Sequence, residues 1–230
     1  MGARTALDLP EKLSFSGVYL GDRGAIEAVQ NGVFAHVPLK SLPAALKIAV
    51  DIGANLGAVA IPLAILGATV HCYEPVRQTL SYLIENAQTN NVADRLFVYD
   101  EAVGATTGQV ELRTYNLDRL QPGMTSGCYD PENEEGSAPF VVKKVGVNEA
   151  LARVDGFIDF LKIDIEGMEH EVMPAISDAN WARIGMIDLE VHHFNHAPYF
   201  GTEVNLGELL MAKGFQRMED TQDCGWVRVN

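Results

Sequence analysis

The stretch that decides the fold is Leu46-Lys47-Ile48-Ala49-Val50-Asp51-Ile52-Gly53-Ala54-Asn55-Leu56-Gly57. Leu46 to Ile52 is a compact apolar run that ends in Asp51-Ile52 and meets Gly53 at once. A short run of this kind, closed by a breaker, predicts a buried strand entering a tight turn. Gly53 lets the chain turn sharply, and Gly57 lets a helix begin close to a bound ligand. The apolar stretch Ala58–Leu66 reads as that helix. Pro62 inside it is expected to remove one backbone hydrogen bond and bend it.

Working outward, the same alternation repeats. Ala68–Tyr73 is a second strand, and Glu74-Pro75 opens a helix carried by Leu80, Leu83, Ile84 and Ala87 at i, i+3, i+4, i+7 spacing. Pro75 suits its first position and Asn90-Asn91 its exit. Leu96–Tyr99 and Val110–Tyr115 follow as strands. Residues 116–138 lack periodicity and hold Pro122, Gly123, Gly127, Pro131 and Gly136, which predicts a long loop or lid. Phe140–Val147 returns as strand and Asn148–Val154 as a short helix. Phe157–Ile165 and Ile184–Val191 are apolar strands separated by a helix over Glu166–Ile176, with Pro174 inside it. Leu206–Lys213 is a helix stopped by Gly214. Phe215–Met218 and Trp226–Val229 close the chain as an antiparallel pair. Strands alternating with helices predict an α/β, doubly wound, mostly parallel sheet covered on both faces. Residues 1–45 read as an attached cap and residues 46–230 as one domain.

Composition removes several classes of function. Of 230 residues, 47% are hydrophobic and 21% charged, so neither disorder nor a fibrous repeat is in play. Seventeen Lys+Arg against 31 Asp+Glu give a net charge of −14. That balance repels phosphate backbones and anionic bilayers, so neither nucleic acid nor membrane is expected as a partner. Cys72, Cys128 and Cys224 are scattered and form no C-x-x-C, which speaks against a disulfide framework or structural zinc. The first twenty residues hold no signal-peptide core, and Ala58–Val70 is too short to span a bilayer. The expectation is a cytoplasmic protein. The acidic run Asp130–Glu135 reads as a solvated surface.

In doubly wound sheets, ligands bind outside the carboxyl ends of the strands where strand order reverses. The first strand ends there in Asp51 and the Gly53–Gly57 turn. The second ends in Glu74, whose carboxylate can accept both hydroxyls of a ribose. Together they imply a nucleoside-bearing cofactor. A dinucleotide fingerprint requires G-x-G-x-x-G, whose glycines admit a pyrophosphate to a helix N-terminus. Here Asn55 stands at the second glycine, and Asp51 would repel phosphate. Both favour S-adenosylmethionine, which carries an ammonium and a sulfonium. A nicotinamide-dependent oxidoreductase or epimerase, and a non-catalytic subunit that binds S-adenosylmethionine, are the alternatives.

Four runs together resemble the FkbM-type methyltransferases in order and spacing: VDIGANLG…VHCYEP (50–75), YDEAVG (99–104), FLKIDIEGMEHEV (160–172) and DLEVHH (188–193). The resemblance covers roughly Leu46 to Gly214. It implies a seven-stranded class I enzyme that moves a methyl group from S-adenosylmethionine to a hydroxyl oxygen of a small molecule, sugar or polyketide, with nitrogen as a close variant. Carried onto this chain, Asp51, Gly53, Asn55 and Gly57 would cradle the methionine and ribose end. Glu74 would take the ribose hydroxyls, and Asp100, Glu101 and Ala102 would sit beside the adenine.

An aliphatic hydroxyl is a poor nucleophile, so a base or a metal must help to remove its proton. Asp164, Glu166, Glu190 and His192 lie where two further strands end, which would gather all four on one rim. His192, able to titrate near neutral pH, is the first choice of base, with Glu190 orienting it or holding the acceptor. Glu166 has an alternative role as a cap on the helix that follows. Glu190, His192, His193 and His196 with Asp164 could hold magnesium, manganese or non-haem iron. Adjacent strand residues face opposite ways, however, so a metal is not the favoured reading, and His193 and His196 read as exposed. Trp181, Phe194, Tyr199 and Phe200 divide between core and an apolar wall for the acceptor.

Overall fold

The structure is a computed structural model and describes residues 13–16, 33–34, 37–38, 42–43, 45–115, 137–191, 205–219 and 225–229. A short antiparallel hairpin, β1 (Val33–Phe34) and β2 (Val37–Pro38), precedes the alternating units. These run β3 (Ile48–Ile52), α1 (Ala60–Ile65), β4 (Thr69–Tyr73), α2 (Arg77–Thr89), β5 (Leu96–Tyr99), β6 (Ala102–Gly104), β7 (Gly108–Tyr115) and β8 (Ser137–Gly146). They continue with α3 (Val147–Ala152), β9 (Phe160–Ile163), α4 (Glu169–Ala175), α5 (Asp178–Trp181), β10 (Met186–Leu189), α6 (Leu206–Ala212), β11 (Phe215–Arg217) and β12 (Gly225–Arg228).

The main sheet has seven strands in the order β11-β12-β10-β9-β3-β4-β5. Pairing is parallel from β10 through β9, β3 and β4 to β5, and β12 runs antiparallel to both its neighbours. The expected closing pair is therefore the source of the one reversed strand. Strand order reverses at β3, whose neighbours are β4 and β9, and this opens a crevice at its carboxyl end. Burial on both faces is the physical reason for the apolar strands. Val50, Ile52, Leu161, Ile163 and Leu189 pack with α3, α4 and α6 on one side. Ala49, Val70, Cys72 and Phe160 pack with α1 and α2 on the other, joined by Leu13 and Leu42 from the N-terminal segment.

Val110–Tyr115 and Phe140–Gly146 belong to a second sheet, of order β6-β8-β7, and Val147, expected to end the strand, opens α3. β7 and β8 pair from Gly108↔Lys144 to Tyr115↔Ser137, so Ser137 and Ala138 are strand rather than loop. Residues 116–136, the remainder of the expected lid, lie outside the described residues. Two proline expectations are corrected. Pro62 is the third residue of α1, close to the helix start, and the bonds around it survive: Leu63 N donates to Val59 O at 3.3 Å and Leu66 N to Pro62 O at 3.0 Å. Pro75 lies before the helix rather than in it, because Val76 is still extended and α2 starts at Arg77. The exit is as expected, with Asn90 as C-cap and Asn91 in the left-handed region at φ 57°.

Candidate cofactor site

The crevice beyond β3 is a cleft whose floor and walls come from four strand ends. Ile52 ends β3, and Gly53 and Asn55 follow it; Glu74, Pro75, Val76 and Thr79 follow β4; Asp164, Ile165, Glu166 and Met168 follow β9. Glu101 lies beyond β5, and Ala102 and Val103 of β6, with Leu112 of β7, add a wall from the second sheet. That sheet therefore closes one side of the site.

The turn after β3 is built from backbone. Gly53 N and Ala54 N both donate to Tyr73 O at 3.0 Å, which ties the turn to the end of β4. Gly53 sits at φ 86°, and a Cβ there would stand 1.8 Å from the carbonyl oxygen of Asp164. Only glycine allows β3 and β9 to approach so closely at this point. Asn55 takes the left-handed region at φ 48°, which asparagine tolerates better than most side chains. Its N–H donates to Glu74 Oε2 at 3.1 Å, and its Oδ1 is buried with no hydrogen-bond partner among the described residues.

Glu74 is 7% exposed and lines the cleft. Val76 N donates to its Oε1 at 2.8 Å, so one backbone donor anchors each oxygen. Burial pushes its carboxyl up to about 7, against the pull of those two backbone bonds.

Asp51 lies under the turn, not in the cleft: it is fully buried and absent from the lining residues. By register it faces Lys162, which in turn faces Asp188, so β3, β9 and β10 carry Asp, Lys and Asp in one row. Lys162 Nζ lies 3.7 Å from Asp51 Oδ1, 3.0 Å from Asp164 Oδ2 and 3.2 Å from Gly53 O. Burial by itself would lower the Lys162 pKa; Asp164 and Asp51 outweigh it and hold the ammonium charged. Burial pushes Asp51 up to about 6, partly offset by Lys162. Lys162 was not singled out in the sequence, although a lysine inside Phe160-Leu161-Lys162-Ile163 was a visible anomaly. A buried charge requires partners, and the partners are three aspartates on the same sheet face.

The turn after β9 is built differently. Glu166 at φ 53° and Gly167 at φ 104° are both left-handed. Glu169, fully buried, accepts from Ile165 N at 3.0 Å and from Gly167 N at 3.0 Å. The capping role offered for Glu166 is not seen: the N-cap is Met168, which makes no side-chain cap bond, Glu169 ties down the turn before the helix, and Glu166 lines the cleft.

Of the residues proposed for adenine, Glu101 and Ala102 line the cleft. Glu101 pairs with Arg153 Nη1 at 2.5 Å, and that guanidinium lies over the Tyr99 ring at 4.7 Å. Asp100 turns to Arg77 at 3.4 Å, in an adjoining cleft. Gly57 lies behind the turn at φ 89° and is not a lining residue. Glu190 N donates to Ile163 O, which sets Glu190 beside Asp164 at the ends of neighbouring strands, but Glu190 does not line the cleft. His192, His193, His196, Phe194, Tyr199 and Phe200 lie outside the described residues, and Trp181 is core. Among the described residues, no group of three His, Cys, Asp or Glu is placed to hold a metal, and no helix is long and apolar enough to cross a membrane.

Six parallel strands with one reversed strand in this order, and a glycine turn at the switch point facing an acid at the end of the next strand, define a class I methyltransferase domain. The chain belongs to the methyltransferase FkbM domain family, whose model matches residues 51–218. It is 30% identical over 198 residues to the 31-O-demethyl-FK506 methyltransferase FkbM of Streptomyces tacrolimicus, covering 72% of this chain and 71% of that protein. Among solved structures, methyltransferase FkbM from Methylobacillus flagellatus is 17% identical with TM-score 0.44, over 80% of this chain and 43% of that one. The chain thus spans less than half of that relative. Magnesium protoporphyrin IX methyltransferase from Synechocystis, solved with bound SAM, is 15% identical with TM-score 0.47, over 91% and 81% of the two chains. Membership of a methyltransferase family sets aside the nicotinamide reading.

Proposed function

We propose that this chain transfers the methyl group of S-adenosylmethionine to a hydroxyl oxygen of a small acceptor, a sugar or a polyketide-type natural product. The observation that carries the cofactor is the pairing of the Gly53–Asn55 turn with Glu74 across one cleft. The residues present fit the group. Glu74 offers a doubly anchored carboxylate to vicinal hydroxyls, and Asn55 Oδ1 is a buried acceptor with no donor among the described residues. No lysine, arginine or histidine is among the described residues lining the cleft, as suits a cationic ligand and not a pyrophosphate. Glu101 and Ala102 line the same cleft, which supports reading them as the residues beside the adenine. When bound, the cofactor supplies an electrophilic methyl group on a positively charged sulfur.

The protein's own part is to hold donor and acceptor in line, exclude water and remove the hydroxyl proton. Asp164 lines the cleft beside Gly53, and its pairing with Lys162 makes it better suited to orient an acceptor hydroxyl than to take its proton. His192, beyond Glu190, is our candidate for the base. The oxygen acceptor is supported by a relative that matches most of both chains and whose name is 31-O-demethyl-FK506 methyltransferase.

Two measurements test this reading. Calorimetry with S-adenosylmethionine and S-adenosylhomocysteine should give saturable binding. Mass spectrometry of incubations with O-demethyl polyketides and free sugars should then show one added methyl, with the rate falling at least about 100-fold in His192→Ala. Binding without methylation of any hydroxylated acceptor would favour the non-catalytic subunit; no binding at all would remove the cofactor.

A further inference from the structure

We infer that Arg153 is a positioning residue for the nucleobase: from outside the cleft, seated on two tyrosine rings, it fixes the carboxylate of Glu101 so that the cleft selects a base with an exocyclic amine. This rests on the cofactor reading above and deepens it.

The first observation is where the two members of the pair stand. Glu101 lines the cleft, and Arg153, the C-cap residue of α3, does not. Arg153 Nη1 donates to Glu101 Oε2 at 2.5 Å, so the guanidinium holds the carboxylate by one oxygen from behind the cleft wall. Oε1 makes no hydrogen bond among the described residues.

The second observation is what holds Arg153. Its guanidinium carbon lies 4.7 Å from the centre of the Tyr99 ring and 5.8 Å from that of Tyr73. The two rings stack on each other at 4.7 Å. Each is pinned at its hydroxyl: Tyr73 donates to Ala150 O at 2.9 Å, and Tyr99 is bonded to His71 Nδ1 at 3.1 Å. A planar cation laid on a fixed aromatic face keeps one orientation, which a freely solvated ion pair does not.

The third observation is strand order. β4 and β5 are neighbours with Tyr73 opposite Tyr99, and Glu74 N donates to Tyr99 O at 3.1 Å. The Gly53–Asn55 turn, Glu74 and Glu101 therefore follow one another across the sheet at the ends of β3, β4 and β5. With the sulfur end of the nucleoside at the first and its sugar at the second, its base meets the third.

An ionised carboxylate only accepts hydrogen bonds. It takes an N–H from an exocyclic amine, whereas a carbonyl oxygen at the same ring position finds no donor and faces a negative charge. Ordering the side chain before the ligand arrives removes that cost from binding, so selection depends on Arg153 as well as on Glu101.

The test is titration calorimetry of the whole chain with S-adenosylhomocysteine and S-inosylhomocysteine, which carries an oxygen in place of the 6-amino group. The wild type should bind the amine ligand about 30-fold tighter. Glu101→Gln, whose amide can donate to that oxygen, should bring the two within about threefold. Arg153→Ala should lose about 10-fold for the amine ligand and under about threefold for the oxo ligand. Arg153→Lys, which keeps the charge without the planar fork, should narrow the preference by about threefold and guards against a folding defect in the alanine variant. A merely structural role would weaken both ligands alike and leave their ratio intact. An unchanged ratio in both Arg153 variants, or a wild type without preference, would overturn the inference and leave the cofactor reading standing. Failure of the folded wild type to bind S-adenosylhomocysteine or S-adenosylmethionine would overturn both.

Discussion

Two turns face each other across the cleft, and they solve one problem by opposite means. Each must reverse the chain at the end of a central parallel strand and present backbone or side chain to a ligand. The turn after β3 does so with glycine and with backbone donors to Tyr73 O. The turn after β9 does so with a buried carboxylate, Glu169, that collects two N–H groups and leaves a charged residue left-handed between them. The first turn provides room; the second provides charge. The two are joined physically, because the space a Cβ would take at Gly53 is occupied by the carbonyl of Asp164, and Lys162 bonds to both sides.

The largest effect is expected from breaking the first turn. Gly53→Ala places a methyl group into a backbone oxygen at a positive φ. It should cost about 4 kcal/mol or more and lower the melting temperature by about 10 °C, with nucleoside binding lost. A wild-type melting curve would show that β3 and β9 can part without consequence.

Breaking the second turn should come next. Glu169→Ala takes the acceptor from the buried Gly167 N–H and the part-buried Ile165 N–H, and should cost about 3 kcal/mol in urea melts. Glu169→Gln, which keeps one acceptor oxygen, should cost less. Equal losses for the two variants would point to side-chain volume rather than hydrogen bonding.

Glu74→Gln sharpens the comparison through pH. Glu74 is raised to about 7 and Asp51 to about 6, so both stabilise the ligand-free fold most when protonated. That stability is complete below about pH 4, the unfolded value of such carboxyls, and is lost as pH rises through the folded values near 6 and 7. The ligand-free wild type should lose about 2 kcal/mol on this account between pH 5 and 8, and the variant measurably less. Nucleoside affinity should run the other way, strengthening with pH through about 7, because the ionised carboxylate is the better acceptor. Calorimetric affinities flat across that range would contradict the role given to Glu74.

Asn55→Gly makes the first turn more nearly all-glycine and should be the mildest change. It relieves a left-handed side chain and removes a buried oxygen that has no partner among the described residues, so stability should move by less than about 1 kcal/mol. Affinity for the nucleoside should fall about fivefold if Oδ1 receives a donor from it. An unchanged affinity would confine Asn55 to a backbone role.

The same contrast explains what was readable before the structure. The turn after β3 is written in residue types with a local meaning: a β-run, a glycine, an asparagine where a dinucleotide site would need glycine, a second glycine. The alternation of apolar strands with helical periods likewise announces the parallel sheet, because burial on both faces leaves no polar face on the strands. Lys162 was passed over because its partners Asp51 and Asp188 are remote in sequence and become neighbours only through strand register. Glu169 is hidden in the sequence because an acid in the first turn of a helix looks like an ordinary dipole partner. Its task concerns the turn that precedes the helix. Val110–Tyr115 and Phe140–Val147 were legible as strands, but their departure into a separate sheet was not, since pairing partners are chosen across space.

The sequence by itself determined the sheet, its switch point, the glycine turn and the acid at the end of the next strand, because each follows from the preferences of adjacent residues. Tertiary structure alone decided that Asp51 lies beneath the cleft with a lysine, that Asp100 faces away, that Glu166 and not Glu190 lines the cleft, and that a second sheet closes one wall. Those outcomes depend on register, crossing and charge compensation between segments far apart in the chain, and no local preference encodes them.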